Sequence, residues 1–178
     1  MPSPLPWQSG LAPGAELPAG FLLRPALEVA RGLLGYRLVS TIGGRRTSGG
    51  IVETEAYDGP NDPASHAATL RGPTKRNAVM FGPAGFSYVY RIYGMHWCMN
   101  VVTGPEGDAG AVLLRGLHAM EGQEVMKQRR GCEPLSTGPG RLCEALGITG
   151  ELYGHDLREE PLRLQAGWAV AHDMVGIS

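Results

Sequence analysis

The sequence has few cysteines, very few lysines and no long apolar segment. Its three cysteines, Cys98, Cys132 and Cys143, show no CxxC spacing, and this odd, scattered set argues against a disulfide framework or a zinc knuckle. No apolar run reaches the roughly 20 residues that a membrane-spanning helix needs. The first 20 residues lack the basic start and apolar stretch of a secretory signal peptide. We therefore expect a cytoplasmic protein with reduced thiols, no metal and no membrane anchor.

A large excess of either charge is also missing. The 16 basic and 17 acidic side chains leave a net charge of −1, which argues against a protein that binds nucleic acid by electrostatics alone. The charges are unevenly spread, because residues 66–130 carry eight basic and four acidic side chains whereas residues 51–65 carry four acidic and no basic ones. The folded chain could present one basic face or an ordinary mixed surface.

Glycine and proline are abundant, with 27 and 14 residues among 178. Apolar residues make up 43% of the chain and are spread throughout, so this composition indicates many turns rather than disorder. The length suits a single domain, residues 1–178, in which residues 1–20 form an irregular arm. Strands that are paired by tight turns and interleaved with short helices predict an α+β fold around a mostly antiparallel sheet.

Hydrophobic periodicity places the elements along the chain. Predicted helices cover residues 25–34, 120–130 and 138–146, and predicted strands cover residues 36–40, 50–57, 86–92, 97–103 and 109–116. Residues 58–85 form the longest stretch without clear periodicity. A loop of this length inside a compact domain is usually functional or disordered.

Two glutamates occupy alternating positions of one predicted strand. Glu53 and Glu55 therefore share a strand face with Tyr57. The alternate positions are expected to face the core: Val52, Thr54 and Ala56. Carboxylates on a cleft wall can act as a general base or stabilise charge during glycosidic bond cleavage. The same pattern also fits a solvated strand face.

Aromatic residues cluster around the next predicted hairpin. Tyr88 and Tyr90 share one strand face, and Tyr93 lies beside Gly94 at the predicted tip. An exposed tip aromatic suggests a partner and has the placement of a residue that wedges into a base stack. We interpret Tyr88 as a core residue, and Tyr90 as either a half-buried strand residue or a surface on which a base stacks. Asn100, inside an apolar strand, could read a base edge or satisfy nearby backbone.

The remaining candidates lie in the long loop and at helix or strand ends. His66 fits either a surface residue or part of a site, and Asp62 with His66 provides too few ligands for a metal. Arg115 follows an apolar run and could emerge near the site. Six cations could contact phosphates: Arg71, Lys75, Arg76, Lys127, Arg129 and Arg130. Cations at a helix C-terminus also interact favourably with the helix dipole.

Seven segments, in this order along the chain, carry a resemblance to a known family. They are GIVETEAYDGP (50–60), DPASH (62–66), KRNAVMF (75–81), YVYRIYGMHWCMN (88–100), AVLLR (111–115), MEGQEVMKQRR (120–130) and STGPGRLCEAL (136–146). Together they resemble the alkyladenine (3-methyladenine) DNA glycosylase family from about residue 18 to the end. The resemblance implies a curved, mostly antiparallel sheet surrounded by short helices.

The resemblance also implies a monofunctional base-excision enzyme without a cofactor. Such an enzyme flips a damaged purine out of duplex DNA and cleaves its N-glycosidic bond with water. By this resemblance Glu55 is the general base, and Arg115 lies beside its carboxylate. Tyr93 fills the gap that the flipped base leaves in the duplex. The pocket for the flipped base is formed by Tyr57, His66, Tyr90 and Asn100. The chain has only two lysines, Lys75 and Lys127, and none lies beside Glu55 to form a Schiff base, so we predict no lyase step.

The candidate substrates are 3-methyladenine, 7-methylguanine, hypoxanthine and ethenoadenine. One alternative is a damage-binding DNA module without catalysis, because the chain ends at Ser178 and is expected to be shorter than the family. Another alternative is a carbohydrate glycosidase that uses Glu53 and Glu55. That alternative is disfavoured because neighbouring carboxylates on one strand do not flank a substrate. We expect a monomer, since the large apolar segments are all assignable to a core.

Overall fold

Six antiparallel strands form one curled sheet. A computed structural model describes residues 11–67 and 72–178. The strands are β1 (Arg37–Ser40), β2 (Thr47–Tyr57), β3 (Ser87–Ile92), β4 (His96–Thr103), β5 (Gly110–Glu121) and β6 (Leu162–Gln165). Their order across the sheet is β3-β4-β5-β2-β1-β6, and every neighbouring pair is antiparallel. The predicted α+β fold around an antiparallel sheet is confirmed.

Three short helices accompany the sheet, as predicted. They are α1 (Ala26–Gly32), α2 (Gln123–Arg130) and α3 (Pro139–Leu146). In the part of the chain that the structure describes, no helix is long and apolar enough to cross a membrane. Of the predicted N-terminal arm, residues 11–20 are irregular, and residues 1–10 lie outside the described residues.

The main hydrophobic core lies between the helices and one face of the sheet. The apolar faces of the helices pack there because helical spacing brings residues three and four apart onto one side. The sheet contributes Val89, Met99, Val101, Val112 and Leu114, and the helices contribute Val29, Met126, Leu142 and Leu146. This core supports the sheet from one side and leaves the opposite face for other contacts.

The opposite face of β3, β4 and β5 carries a second, smaller cluster. Its buried members are Ala67, Met80, Tyr88, Val102, Ala109 and Ala111. Ala67 and Met80 come from the long loop between β2 and β3, which therefore packs over this face. The predicted aperiodic stretch over residues 58–85 is confirmed where it is described, apart from a 3₁₀ turn at Ala78–Phe81.

The helix predicted over residues 120–130 starts too early. Met120 and Glu121 end β5, and α2 begins at Gln123. Gly122 between them has a left-handed backbone with φ 71°, and Glu121 accepts hydrogen bonds from Ser48 of β2 and Arg37 of β1. These contacts between strands hold Glu121 in the sheet. The short strand β6, which pairs with β1 at the sheet edge, was not predicted.

The expected core position of Val52 is wrong, since its side chain is 54% exposed. The pairing of β2 with β5 shifts on both sides of Glu53, so Val52 is an extra residue in a β-bulge. Thr54 and Ala56 do face the core. The Thr54 hydroxyl donates to the Ala30 carbonyl oxygen of α1 at 2.9 Å, and Ala56 packs against the main core. The bulge thus exposes Val52 without changing the face that carries Glu55.

Gly35 lies in close contact with the backbone at Trp168, and this contact can be tested by substitution. A Cβ on Gly35 would lie 2.4 Å from the Trp168 carbonyl oxygen, and the backbone there has φ +85°. Gly43 also has a positive φ, of +69°, but has nothing within 4 Å. We expect Gly43→Ala to lower the free energy of unfolding by about 1 kcal/mol. Gly35→Ala should lower it by about 3 kcal/mol, because a backbone clash is added to the strain. Urea denaturation measures both losses, and equal losses would contradict the packing described.

Candidate active site

The candidate residues share one face of the sheet because of the strand register. Tyr88 of β3 pairs with Asn100 of β4, Asn100 pairs with Leu113 of β5, and Leu113 pairs with Glu55 of β2. Residues directly opposite each other in antiparallel strands point to the same side. This row across four strands therefore puts a tyrosine, an amide and a carboxylate on the face opposite the main core.

Arg115 binds both glutamates of β2. Its Nη1 donates to Glu55 Oε2 at 2.6 Å, and its Nε donates to Glu53 Oε1 at 3.1 Å. The predicted shared face of Glu53 and Glu55 is confirmed by this common partner. The hydrogen bond to Glu53 and the charges of both carboxylates raise the pKa of Arg115, against the opposing effect of burial. Glu53 therefore has a supporting role, because it helps to hold the arginine that holds Glu55.

Glu55 is bound from its other side by Tyr57. The Tyr57 hydroxyl donates to Glu55 Oε1 at 2.6 Å, so each carboxylate oxygen has one protein donor. A carboxylate offers about four lone-pair positions, and both oxygens keep the capacity to accept a further hydrogen bond, for example from water. Burial, together with the bond to Glu55, raises the pKa of Tyr57. Tyr57 thus stays a hydrogen-bond donor at neutral pH.

Tyr57 also lines a small cavity next to this carboxylate. The cavity is partly open and has a volume of about 10 Å³, and its walls are Tyr57, Ala64, His66, Met80, Tyr88, Tyr90 and Asn100. All four residues predicted for a base pocket are therefore brought together, although they come from β2, the long loop, β3 and β4. The shared wall at Tyr57 connects the cavity with Glu55.

Aromatic rings form most of the cavity wall. The ring centroids lie 4.5 Å apart for His66 and Tyr90, and 5.3 Å apart for Tyr88 and Tyr90. Burial raises the pKa of Tyr88 to about 12 and also raises the pKa of Tyr90. Both phenols are neutral at physiological pH, so they offer uncharged ring surfaces on which a planar base can stack.

Asn100 satisfies a nearby backbone group, which is one of the two interpretations of its place in an apolar strand. Its side chain is buried, and Nδ2 donates to the Tyr88 carbonyl oxygen at 3.2 Å. This bond removes the cost of an unpaired buried amide. Asn100 also lines the cavity, and its contact with a base edge stays a prediction.

Tyr88 belongs to the site as well as to the core. It is fully buried, as predicted, but its hydroxyl lies 2.9 Å from His66 Nδ1. The sequence pattern predicted only the core position of Tyr88. The alternation of Tyr88 with Tyr90 was the signal that could have placed it in the pocket, since residues two apart share a strand face.

Tyr93 stands at the tip of the hairpin between β3 and β4. Its side chain is 89% exposed, and its backbone has φ 50°, next to Gly94 with φ 66°. A positive φ is uncommon for a bulky residue, and the turn holds the ring away from the sheet. The predicted exposed tip is confirmed.

The cations predicted to contact DNA have different environments. Arg71 lies outside the described residues. Lys75 is exposed, whereas Lys127 forms an ion pair with Glu124. Arg130 is only 10% exposed and pairs with Glu144. Arg129 donates to carbonyl oxygens of Ala145 and Ile42, and Arg76 lies over the Tyr90 ring. The contacts of Arg129, Arg130 and Arg76 within the protein thus compete with any contact to phosphate.

Within the described ranges 11–67 and 72–178, no group of three or more histidine, cysteine, aspartate or glutamate residues could hold a metal ion. The three cysteines are free. Glu53 and Glu55 bind one arginine on a single strand face, and this arrangement does not flank a substrate as the carboxylates of a carbohydrate glycosidase do.

Comparison with known proteins agrees with this geometry. The methylpurine-DNA glycosylase (MPG) family matches residues 20–177. The chain belongs to this family. It is therefore a DNA glycosylase, a DNA repair enzyme that hydrolyses N-glycosyl bonds in DNA.

Relatives of the glycosylase in several organisms are provisionally named 3-methyladenine DNA glycosylase. The protein from Methanoculleus marisnigri is 53% identical over 153 residues, which cover 84% of this chain and 78% of the relative. The protein from Granulibacter bethesdensis is 52% identical over 152 residues, covering 84% and 68%. The protein from Myxococcus xanthus is 49% identical over 159 residues, covering 89% and 77%.

The environment of His66 in the glycosylase predicts a pH dependence. Burial, helped by the charge of Arg76, lowers the pKa of His66 below its usual value near 6.5. The unfolded chain then binds more protons than the folded one just below that value, so His66 should reduce the free energy of unfolding as the pH falls through 6.5. The loss should be complete once the pH is below the folded pKa.

We expect this acid-side loss to be smaller in His66→Asn, measured by urea denaturation between pH 7.5 and 5. The control is His118→Asn, which makes the same substitution at an exposed histidine of β5 outside the cavity. A His66→Asn slope equal to that of the wild type would show that His66 is not held neutral in the fold.

Proposed function

We propose that this glycosylase excises alkylated or deaminated purines from duplex DNA by flipping the damaged base into the aromatic cavity. One observation carries the proposal. Tyr57 forms a wall of the cavity and also binds the Glu55 carboxylate at 2.6 Å. The cavity has room for about one water molecule, so a base must part its walls to enter, and it would then hold its sugar and its N-glycosidic bond close to Glu55.

In this proposal the cavity binds the extruded base, and the hairpin tip fills the space that the base leaves in the duplex. Extruding a base costs a few kcal/mol of stacking and pairing, least for a damaged base. Stacking between the rings of His66, Tyr57 and Tyr90 offsets part of that cost, at about 1–3 kcal/mol per aromatic contact. Tyr93 would enter the duplex and fill the space that the base leaves. Asn100 would limit which purine edges fit.

Glu55 would activate the water that attacks the sugar. It accepts a proton as the water oxygen bonds to C1′, the bond from C1′ to the base nitrogen breaks, and the base leaves with the bonding electrons. The Glu55 charge also stabilises the oxocarbenium-like sugar, and Arg115 keeps the carboxylate in place. We infer no lyase step, because Lys75 lies in the long loop and Lys127 on α2, and neither is a neighbour of Glu55 on the sheet.

The proposed role of Glu55 as the general base can be tested against a control substitution at Glu53, which lies on the same strand face. Glu55→Gln should slow excision by about 10²–10⁴-fold, since the base that deprotonates water is lost. Glu53→Gln removes the other carboxylate bound to Arg115 but leaves the bond between Tyr57 and Glu55, so it should slow excision less than about tenfold.

We would measure single-turnover excision from duplexes that carry hypoxanthine, ethenoadenine or 7-methylguanine, with alkali to reveal abasic sites. Binding of Glu55→Gln to the same duplexes should remain. Lesion-selective binding by the wild type without excision of any base would favour a damage-binding module and reject the proposal.

Tyr93 offers a second test, because its ring can be removed without disturbing the core. Tyr93→Ala should change the free energy of unfolding by less than about 0.5 kcal/mol. It should lower single-turnover excision of hypoxanthine about tenfold or more, since the flipped state loses its filling side chain. Leu23→Ala, at another exposed apolar side chain, is the control and should leave excision unchanged. Equal rates for Tyr93→Ala and the wild type would exclude Tyr93 as the inserted residue.

A further inference from the structure

Arg76 is exposed and lies beside a wall of the base cavity. Its guanidinium carbon is 5.6 Å from the centroid of the Tyr90 ring, and Tyr90 is a wall of the cavity. The charge of Arg76 reaches the other rings too, because it lowers the pKa of His66 and opposes the rise in the pKa of Tyr88. A fixed positive charge therefore lies beside the end of the cavity that is formed by these three rings.

The segment around Arg76 is anchored on both sides. The buried Asn77 donates through Nδ2 to the His66 carbonyl oxygen at 2.9 Å, and its Oδ1 accepts from the Thr74 backbone N–H at 2.6 Å. Tyr153 donates to the Lys75 carbonyl oxygen and accepts from the Val79 backbone N–H, both at 3.2 Å. These bonds hold the backbone on each side of Arg76 against the pocket, so its side chain starts from a fixed position near Tyr90.

The two ends of the site thus carry opposite charge. Glu53 and Glu55 carry two negative charges against one positive charge on Arg115, so the end near the sugar has a net negative charge. Arg76 makes the end near the base positive. A neutral lesion and a cationic lesion differ at this second end, because only the cationic base would bring a positive charge towards Arg76.

The two lesion classes also differ when the bond breaks. A cationic alkylpurine leaves as a neutral base. A neutral purine such as hypoxanthine leaves with the bonding electron pair and develops negative charge. A positive group that is already in place where this charge develops stabilises the transition state of the neutral lesion alone.

We propose that Arg76 is a specificity-determining residue that favours excision of neutral purine lesions over cationic alkylated ones. This inference rests on the proposed function, because it concerns the base that the same cavity would bind. It differs from the prediction made from the sequence, in which Arg76 contacts a phosphate of the DNA backbone.

The test compares hypoxanthine, which is neutral, with 7-methylguanine, which is cationic, in the same duplex sequence under single-turnover conditions. Arg76→Gln should lower the ratio of the hypoxanthine rate to the 7-methylguanine rate about tenfold. Arg76→Lys keeps the charge and should keep most of that ratio. Lys75→Gln removes the neighbouring exposed cation and should change both rates by the same factor.

Arg76 is exposed, so its substitution should leave the fold intact, and an NMR titration provides a readout that does not depend on activity. The pKa of His66 should rise in Arg76→Gln, because a nearby positive charge is lost. An unchanged His66 pKa would show that Arg76 does not lie at the cavity.

Three further outcomes separate this inference from the proposed function. Equal slowing of both lesions by Arg76→Gln, with a weaker salt dependence of DNA binding, would make Arg76 a phosphate contact and overturn the inference alone. A rise in the ratio of the two rates would overturn it as well. Failure of the wild type to excise either lesion would overturn the proposed function and this inference with it.

Discussion

Two carboxylates on one strand face repel each other, and Arg115 from the neighbouring strand offsets that repulsion. All three side chains are partly exposed, so solvent screens the ion pair and its contribution to stability is small. Its importance is positional. Arg115 holds Glu55 from one side and Tyr57 holds it from the other, so the carboxylate keeps one orientation next to the cavity. Loss of either partner would free Glu55 to rotate away from a bound base.

The two faces of the sheet have different roles, because one forms the main core and the other carries the candidate site. One face buries aliphatic side chains against α1, α2 and α3, and that burial supplies most of the apolar contact of the fold. The other face carries the row from Tyr88 to Glu55, and the long loop covers the Tyr88 end of this row through a small cluster. Substitutions on the second face can change the chemistry of the site without weakening the main core. The same division explains how polar groups such as Asn100 are tolerated inside the sheet.

Local rules predicted much of this arrangement. Alternation along a strand correctly placed Glu53, Glu55 and Tyr57 on one side, because the side-chain period of a strand is two residues. The exposed Tyr93 followed from the turn at Gly94. The same rule failed at Val52, where a bulge adds a residue, and a bulge depends on how two strands pair. The end of β5 was also missed, because Glu121 is held by Arg37 and Ser48, which are distant in sequence.

The sequence by itself determined the α+β class, the family resemblance, and the strands that carry the carboxylates and the tyrosines. Each of these depends on residue type and local spacing, which are present before the chain folds. Only the tertiary structure decided which residues meet. Strand register joined Tyr88, Asn100 and Glu55 into one row, and the packing of the long loop brought His66 and Arg76 to Tyr90. Contacts between residues far apart in the chain depend on register and loop packing, and no local pattern in the sequence specifies either of them.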